Sequence, residues 1–201
     1  MFTKRDLYFS VITGLITGLI AWRIFIFLEL SEFANIPWPS LVIVVPVLWI
    51  LGVNLGYFLG KWFAFFNQFG KFAAVGFTNA AVYFGILNVL IAWSEINRGF
   101  WYSVFVAVSF AIATLHSYFW NKYWVFSAGE EKVSGQEMGK FFVAYVIAGI
   151  VNVGTASGMI ILLDPMFGLT NDQWANVGGV AGSAAALIVS FVGVKLTVFK
   201  K

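Results

Sequence analysis

The sequence predicts an all-α membrane protein with six transmembrane helices, and three observations support this fold class. First, 61% of the 201 residues are hydrophobic and only 10% are charged, whereas a soluble domain carries roughly 25% charged residues. Second, the apolar residues form six stretches of about 20 residues, each long enough to cross a ~30 Å hydrocarbon core as a helix. Third, one set of small and polar residues occurs twice at a fixed spacing.

The six predicted spans follow one another with short connections. They cover approximately residues 7–28, 40–60, 72–93, 100–121, 141–163 and 175–195. Pro46 falls in the first turns of the second span, where a helix tolerates proline best. Asp164 and Pro165 end the fifth span. None of the runs has the short alternating pattern of membrane β-strands, so helices are predicted throughout.

The charged residues divide between the two sides of the predicted membrane. Ten of the 12 Lys and Arg residues lie at the N-terminus or after the even-numbered spans, whereas Arg98 follows an odd-numbered span and Arg23 lies within the first. Cytoplasmic loops are enriched in Lys and Arg. We therefore expect a multi-pass protein of the cell inner membrane with both termini in the cytoplasm. The formal net charge of +3 then reflects topology, and nucleic acid is not an expected partner.

A set of small and polar residues occurs twice along the chain. The matched pairs are Gly76 and Gly149, Asn79 and Asn152, Gly85 and Gly158, and Lys122 and Lys195. Each pair is separated by 73 positions, as from residue 76 to residue 149, and a fixed offset indicates one structural unit used twice. Both copies begin on an outward span, so they are parallel repeats and not inverted ones. Because small residues let membrane helices approach closely, we expect the repeated glycines, with Gly178 and Gly182, at helix contacts.

The repeat also predicts how the spans are organised. Two helical hairpins, residues 72–126 and 141–199, are expected to form a four-helix core. A two-span extension, residues 1–66, precedes a four-span domain, residues 67–201. Two such hairpins can pack around a shared cleft.

Three segments of the repeats carry a family resemblance. They are residues 70–79 (GKFAAVGFTN), residues 121–126 (NKYWVF) and their weaker echo at residues 195–199 (KLTVF). In this order they resemble the GtrA-like family of small four-span membrane proteins, over about 130 of the 201 residues. The second copy lacks the Asn and Trp of the first, since Val194 and Thr197 stand there. Equivalent roles for the two copies are therefore not assumed.

The resemblance implies a role in the synthesis of cell-envelope polysaccharides. Family members are thought to move polyprenyl-phosphate-linked sugars across the membrane, beside a membrane glycosyltransferase. We therefore expect translocation of a polyprenyl-phosphate-linked monosaccharide, with membrane lipids and a glycosyltransferase as partners. The alternative is a membrane scaffold that anchors or recruits the glycosyltransferase without transport. A homo-oligomer is left open, and a proton-coupled exporter is disfavoured because the five carboxylates considered, Glu29, Glu32, Glu95, Asp164 and Asp172, lie at or beyond span ends.

Lys122 and Lys195 lie at matching cytoplasmic ends of the fourth and sixth predicted spans. An ammonium near the interface can pair with a polyprenyl phosphate, although lysines at membrane interfaces also extend to the headgroups without any ligand. Asn121 and Trp124 flank Lys122 and favour headgroup binding, because an amide can hydrogen-bond phosphate or sugar hydroxyls. These four residues are candidate substrate-binding residues.

Four further polar residues are candidates inside the spans. Asn79 and Asn152 are predicted within the hydrocarbon, where they either hydrogen-bond between helices of the two repeats or line a path for the sugar. His116 is the only histidine, one turn before Trp120, and is either a hydrogen-bonded structural residue or a pH-sensitive one. Arg23 is the only cation placed well inside a span and can reach outward towards Glu29 or lipid phosphate.

Several classes of site are not expected from this sequence. The chain contains no cysteine, which excludes disulfides and thiol catalysis. A lone histidine with no paired carboxylates in a span predicts no metal site and no catalytic residues. No cofactor is expected, and we do not expect the protein to be an enzyme.

Overall fold

The structure, a computed structural model, describes residues 2–32, 36–125 and 135–197, without the side chains of residues 135–142, 144 and 190–197. Six α-helices and no strand occur in this part of the chain. They are α1 Lys4–Phe27, α2 Leu41–Leu59, α3 Phe66–Ser94, α4 Gly99–Trp120, α5 Gly135–Leu162 and α6 Asn171–Thr197. A 3-10 turn, Trp38–Ser40, precedes α2, and a π-helical turn, Asn121–Val125, follows α4. The all-α class is confirmed.

Five segments of the described chain are long and apolar enough to cross a membrane. They are Lys4–Phe27, Trp38–Leu59, Phe66–Ser94, Gly99–Val125 and Tyr145–Leu162. These segments make the chain a multi-pass membrane protein. Helix α6 has 27 residues but is not among the five, so the sixth span stays a prediction.

The helices fold into two compact units. The first unit contains α1, α2, the part of α3 up to Gly85, and α4 from Ile112 with the π turn. The second contains α3 from Ile86, α4 up to Ala111, α5 and α6. The division into domains at residue 66 stays a prediction.

In the first unit, glycines bring the backbones of three helices close together. Gly14 and Gly18 of α1 lie against the backbone of α2 at Pro46 and Leu41, so that any added Cβ would collide. Between α2 and α3, a Cβ on Gly56 would lie 2.8 Å from the carbonyl oxygen of Phe66. Small residues permit this close packing. In lipid, the hydrophobic effect does not drive helices together, so close packing is a main source of helix association.

In the second unit, α5 and α6 cross at two glycines. A Cβ on Gly178 would lie 2.8 Å from the Ile160 side chain, and Gly182 lies against the backbone of Asn152. Tyr102 of α4 donates its hydroxyl to the carbonyl of Ala175 at 2.6 Å. The expectation that Gly178 and Gly182 lie at helix contacts is confirmed.

The same expectation is wrong for two of the repeated glycines. Outside the glycine's own stretch of helix, no described atom lies within 4 Å of a Cβ built on Gly76 or Gly158. Gly85 and Gly149 do meet neighbours, but these are the side chains of Ile20 and Phe110. A recurring glycine therefore does not by itself mark a close helix crossing. The superposition of the two hairpins stays a prediction, although α4 and α6 begin at comparable positions, Gly99 and Asn171.

Candidate functional site

The π turn carries three of the predicted site residues. Helix α4 ends at Trp120, and the chain continues as a π turn over Asn121–Val125. In a π turn the hydrogen bonds reach one residue further than in an α-helix, and such turns often occur at functional sites. Asn121, Lys122 and Trp124 are consequently presented by a non-standard stretch of backbone in the first unit.

Lys122 has an aromatic environment and no acidic partner within the described part of the chain. Its Nζ lies 5.8 Å from the ring centroid of Tyr118 and 5.6 Å from that of Tyr123. Within the described residues, no carboxylate forms an ion pair with Lys122. Aromatic faces attract an ammonium without satisfying its three N–H donors. Lys122 therefore has N–H donors that no described carboxylate takes up, and its role in phosphate binding stays a prediction.

Asn121 offers an acceptor, not a donor. Its amide nitrogen donates to the carbonyl of Ser117 at 2.9 Å and lies 3.1 Å from the Ser117 hydroxyl. Its Oδ1 is buried and has no hydrogen-bond partner among the described residues. The free oxygen can accept from a sugar hydroxyl, whereas the nitrogen is already engaged and is not available to phosphate.

Trp124 does not face a ligand in this structure. Its side chain is 1% exposed, and its indole Nε1 donates to Oδ1 of Asp6 at 3.0 Å. Direct contact with a headgroup, as predicted from the sequence, is replaced by a contact between the π turn and α1. Trp124 is thus placed as a positioning residue.

The Asp6 cluster, defined as Asp6 with Thr3, Tyr57, Lys71 and Trp124, is the feature that sequence reasoning missed. Lys71 Nζ forms an ion pair with Asp6 Oδ1 at 2.8 Å, on the same oxygen as Trp124. Tyr57 donates to Oδ2 at 3.0 Å, and Thr3 donates its hydroxyl at 2.8 Å and its backbone N–H at 3.0 Å. The Lys71 ammonium therefore neutralises the buried carboxylate, and four neutral donors satisfy its remaining lone pairs. Pairing together with hydrogen bonding makes a charge tolerable in an apolar interior.

Two signals in the sequence could have pointed to this cluster. Thr3 and Asp6 have the spacing of an N-terminal capping box, and the structure has both of its hydrogen bonds. Asp6 is also the only acidic residue in the first 28 positions. The carboxylates considered for the exporter hypothesis did not include it.

A second residue of the first turn of α1 also reaches the π turn. The Arg5 guanidinium donates to the backbone carbonyl of Tyr123. It also lies over the ring of Phe9, 5.4 Å from its centroid. The Phe9 ring in turn packs edge-on against Trp120 and Trp124. The π turn is therefore held by α1 through two polar contacts and one aromatic cluster.

His116 is hydrogen-bonded within its own helix. Its Nε2 accepts from the indole N–H of Trp120 at 2.8 Å. The Nδ1 atom is buried and has no partner among the described residues. Because Nε2 is an acceptor, the neutral ring carries its proton on Nδ1 and has one unused donor.

The two repeated asparagines have different environments. Asn79 of α3 is half-buried, and its Oδ1 has no partner among the described residues. Asn152 of α5 is fully buried, and its Nδ2 lies 3.4 Å from the Ser183 hydroxyl of α6. Asn152 therefore bonds between the two helices of its own repeat, so hydrogen bonding between the repeats and a polar path for the sugar both stay predictions.

The structure describes no contact between the π turn and the remaining two candidates, Arg23 and Lys195. Arg23 is exposed and lies 18 residues beyond Arg5 on α1, roughly 27 Å along the helix. It has no ion pair with a described residue. Lys195 lies in α6, but its side chain is outside the described part of the structure.

A second polar feature lies in the second unit and was also not predicted. Asn88 of α3 and Asn176 of α6 exchange two amide hydrogen bonds, at 2.7 and 2.8 Å. Asn176 also donates to the carbonyl of Asp172 at 2.8 Å. Both amides are buried, so this pair joins helices and does not face a ligand.

Comparison with known proteins identifies the family. The family model described as GtrA/DPMS, transmembrane domain matches residues 71–200. The match begins at Lys71 of the Asp6 cluster and includes the whole π turn. No curated protein and no solved structure matches the chain. The chain belongs to the GtrA/DPMS transmembrane domain family, and it is a multi-pass membrane protein of lipid-linked sugar metabolism.

Proposed function

We propose that this protein translocates a polyprenyl-phosphate-linked monosaccharide across the inner membrane for cell-envelope glycan synthesis. The observation that carries the proposal is Lys122, a cation on a π turn of the family domain that has no acidic partner among the described residues. An ammonium at the end of a membrane helix suits an anionic headgroup. The phosphate ester of a polyprenyl lipid is such a headgroup.

The polar atoms without partners in the first unit suit the sugar. Within the described part of this unit, Asn121 and Asn79 each have a buried free acceptor oxygen, and His116 has a buried Nδ1. Sugar hydroxyls both donate and accept hydrogen bonds. Moving a hydroxyl into hydrocarbon without partners costs roughly 2–7 kcal/mol per group. A few fixed donors and acceptors would lower this barrier.

The proposed path uses a lateral opening. The prenyl tail stays in lipid while the phosphate binds at Lys122 on the cytoplasmic side and the sugar moves past Asn79. The chain performs no covalent chemistry in this scheme, and the gradient of the lipid-linked sugar drives the movement. A glycosyltransferase on the cytoplasmic side would supply the substrate.

The test is transport in proteoliposomes that contain the full chain and a polyprenyl-phosphate sugar. Lys122→Ala should weaken binding of the lipid-linked sugar by about 1–3 kcal/mol, the scale of one charge-assisted hydrogen bond, and slow transport accordingly. Lys61→Ala is the matched control, since Lys61 also lies over an aromatic ring, 5.6 Å from the centroid of Phe58, but outside the π turn.

Two outcomes would contradict the proposal. Transport by a folded Lys122→Ala variant at the parent rate would reduce the lysine to an interfacial anchor. Absence of transport by the parent, together with retention of a glycosyltransferase on the same membranes, would replace translocation with the scaffold alternative.

A further inference from the structure

Two consecutive residues of α1 form hydrogen bonds with two consecutive residues of the π turn. Arg5 donates to the carbonyl of Tyr123, and Asp6 accepts from the indole of Trp124. Arg5 belongs to the N-terminal extension, outside residues 71–200 that the family model matches. The extension therefore brings a guanidinium to the backbone carbonyl of the residue that follows Lys122.

The acidic residues in the described part of the first unit do not pair with these two cations. Its described part contains three carboxylates: Asp6, Glu29 and Glu32. Asp6 is fully occupied, and its ion pair is with Lys71. Glu29 and Glu32 follow the other end of α1, more than 20 residues beyond Asp6. Neither Arg5 nor Lys122 forms an ion pair with a described residue.

Arg5 keeps most of its hydrogen-bonding capacity. Its side chain is exposed, and its one described polar contact is with the Tyr123 carbonyl. A guanidinium carries five N–H donors. Its planar fork matches two phosphate oxygens at once, which a lysine ammonium cannot do. The contact with Tyr123 fixes the group and leaves donors for a ligand.

We propose that Arg5 and Lys122 together form a two-cation site for the phosphate ester of a lipid headgroup. This inference rests on the proposed function and assigns half of its phosphate site to the N-terminal extension. The Tyr123 carbonyl orients the guanidinium, and the Asp6 cluster holds the π turn in place. Removal of either cation should therefore weaken binding of a lipid phosphate while leaving binding of its tail unchanged.

The experiment measures equilibrium binding to the full chain in nanodiscs of zwitterionic lipid. The probes are farnesyl phosphate and farnesol, which share a prenyl tail and differ in the phosphate. Arg5→Gln should weaken farnesyl phosphate binding about tenfold, the lower range for a hydrogen bond to a charged group, and leave farnesol binding unchanged. Arg5→Lys, which keeps the charge without the fork, should recover part of the loss.

Lys4→Gln is the matched control. Lys4 is an exposed cation in the same turn of α1, so Lys4→Gln changes the net charge by the same amount as Arg5→Gln. Lys4 makes no described contact with the π turn. The affinity of Lys4→Gln for farnesyl phosphate should equal that of the parent. An equal loss in Lys4→Gln and Arg5→Gln, or parent affinity in a folded Arg5→Gln variant, would overturn the two-cation site. Inorganic phosphate that binds as tightly as farnesyl phosphate would overturn the assignment to a lipid headgroup.

The binding and transport results together distinguish a failure of the two-cation site from a failure of the proposed translocation. If Arg5→Gln loses affinity as expected while the parent moves no lipid-linked sugar in proteoliposomes, translocation is wrong and the two-cation site stands. If Lys122→Gln loses affinity and transport while Arg5→Gln keeps both, the two-cation site is wrong and translocation stands.

Discussion

Each unit has one ion pair among its described residues, and the two pairs differ in length, burial and surroundings. Lys71 and Asp6 of the first unit are 2.8 Å apart, with side chains that are 12% and 3% exposed. Arg98 and Asp164 of the second unit are 3.1 Å apart and 51% and 86% exposed. Removing one partner of a buried pair costs about 3–5 kcal/mol, whereas an exposed pair contributes about 0–1 kcal/mol. The first pair can organise a site, and the second cannot.

The difference follows from the neighbours of each carboxylate. Asp6 receives hydrogen bonds from the cap of α1, from α2 and from the π turn, in addition to the Lys71 ammonium. Asp164 follows the end of α5, and Arg98 divides its donors between this carboxylate and the carbonyl of Ile161. The second unit also has a buried polar contact that is neutral, between the amides of Asn88 and Asn176. A neutral amide pair needs no counter-ion, so removing one partner strands no charge.

The largest effect is expected at the buried ion pair. Asp6→Asn should lower the free energy of unfolding by about 3–5 kcal/mol, because Lys71 then stays buried without its counter-ion. The measurement is a denaturant titration in mixed micelles. The double variant Asp6→Asn with Lys71→Met should recover a large part of the loss, since it removes the stranded charge. If the free energy of unfolding falls by less than about 1 kcal/mol, the Asp6–Lys71 pair contributes no more than an exposed ion pair does.

An intermediate effect is expected at the amide pair of the second unit. Asn88→Ala should lower the free energy of unfolding by about 1–2 kcal/mol, since it leaves the buried Asn176 amide short of a partner. A cycle with Asn176→Ala, followed by the same micelle titration, isolates the coupling between the two side chains. Additive losses in the double variant would show that the two amides do not depend on each other.

The smallest effect is expected at the exposed ion pair. Arg98→Ala and Asp164→Ala should each change the free energy of unfolding by less than about 1 kcal/mol, because water already solvates both groups. Raising the salt concentration should shrink even this difference. A loss as large as that of Asp6→Asn would remove the contrast between the two units.

The sequence predicted the helices better than it predicted their contacts. Apolar runs of about 20 residues specify membrane helices locally, and all six predicted spans coincide with helices of the described chain, with shifted ends such as Phe66 for α3. Lys122 could also be selected from the sequence, because a cation beside aromatic residues at a span end is a local pattern. What the sequence could not tell is whether that cation has a partner.

The repeated asparagines show where a sequence pattern stops being informative. Asn79 and Asn152 occupy equivalent positions of the sequence repeat, yet Asn79 Oδ1 has no partner among the described residues and Asn152 is bonded to α6. The surroundings of a buried amide depend on which helix packs against it, and the spacing of a motif does not contain that information. The side chains at these two matched positions therefore have different surroundings, in keeping with the decision not to assume equivalent roles for the two copies.

By itself, the sequence determined the helical class, the approximate spans, the family and the presence of a lysine beside aromatic residues at the end of α4. Only the tertiary structure decided that Asp6 pairs with Lys71, 65 positions away, and that Trp124 faces this carboxylate instead of a ligand. The physical reason is that helix formation depends on residues within one or two turns of the chain. The neutralisation of a buried charge depends on whichever donors the folded chain brings within about 3 Å of it.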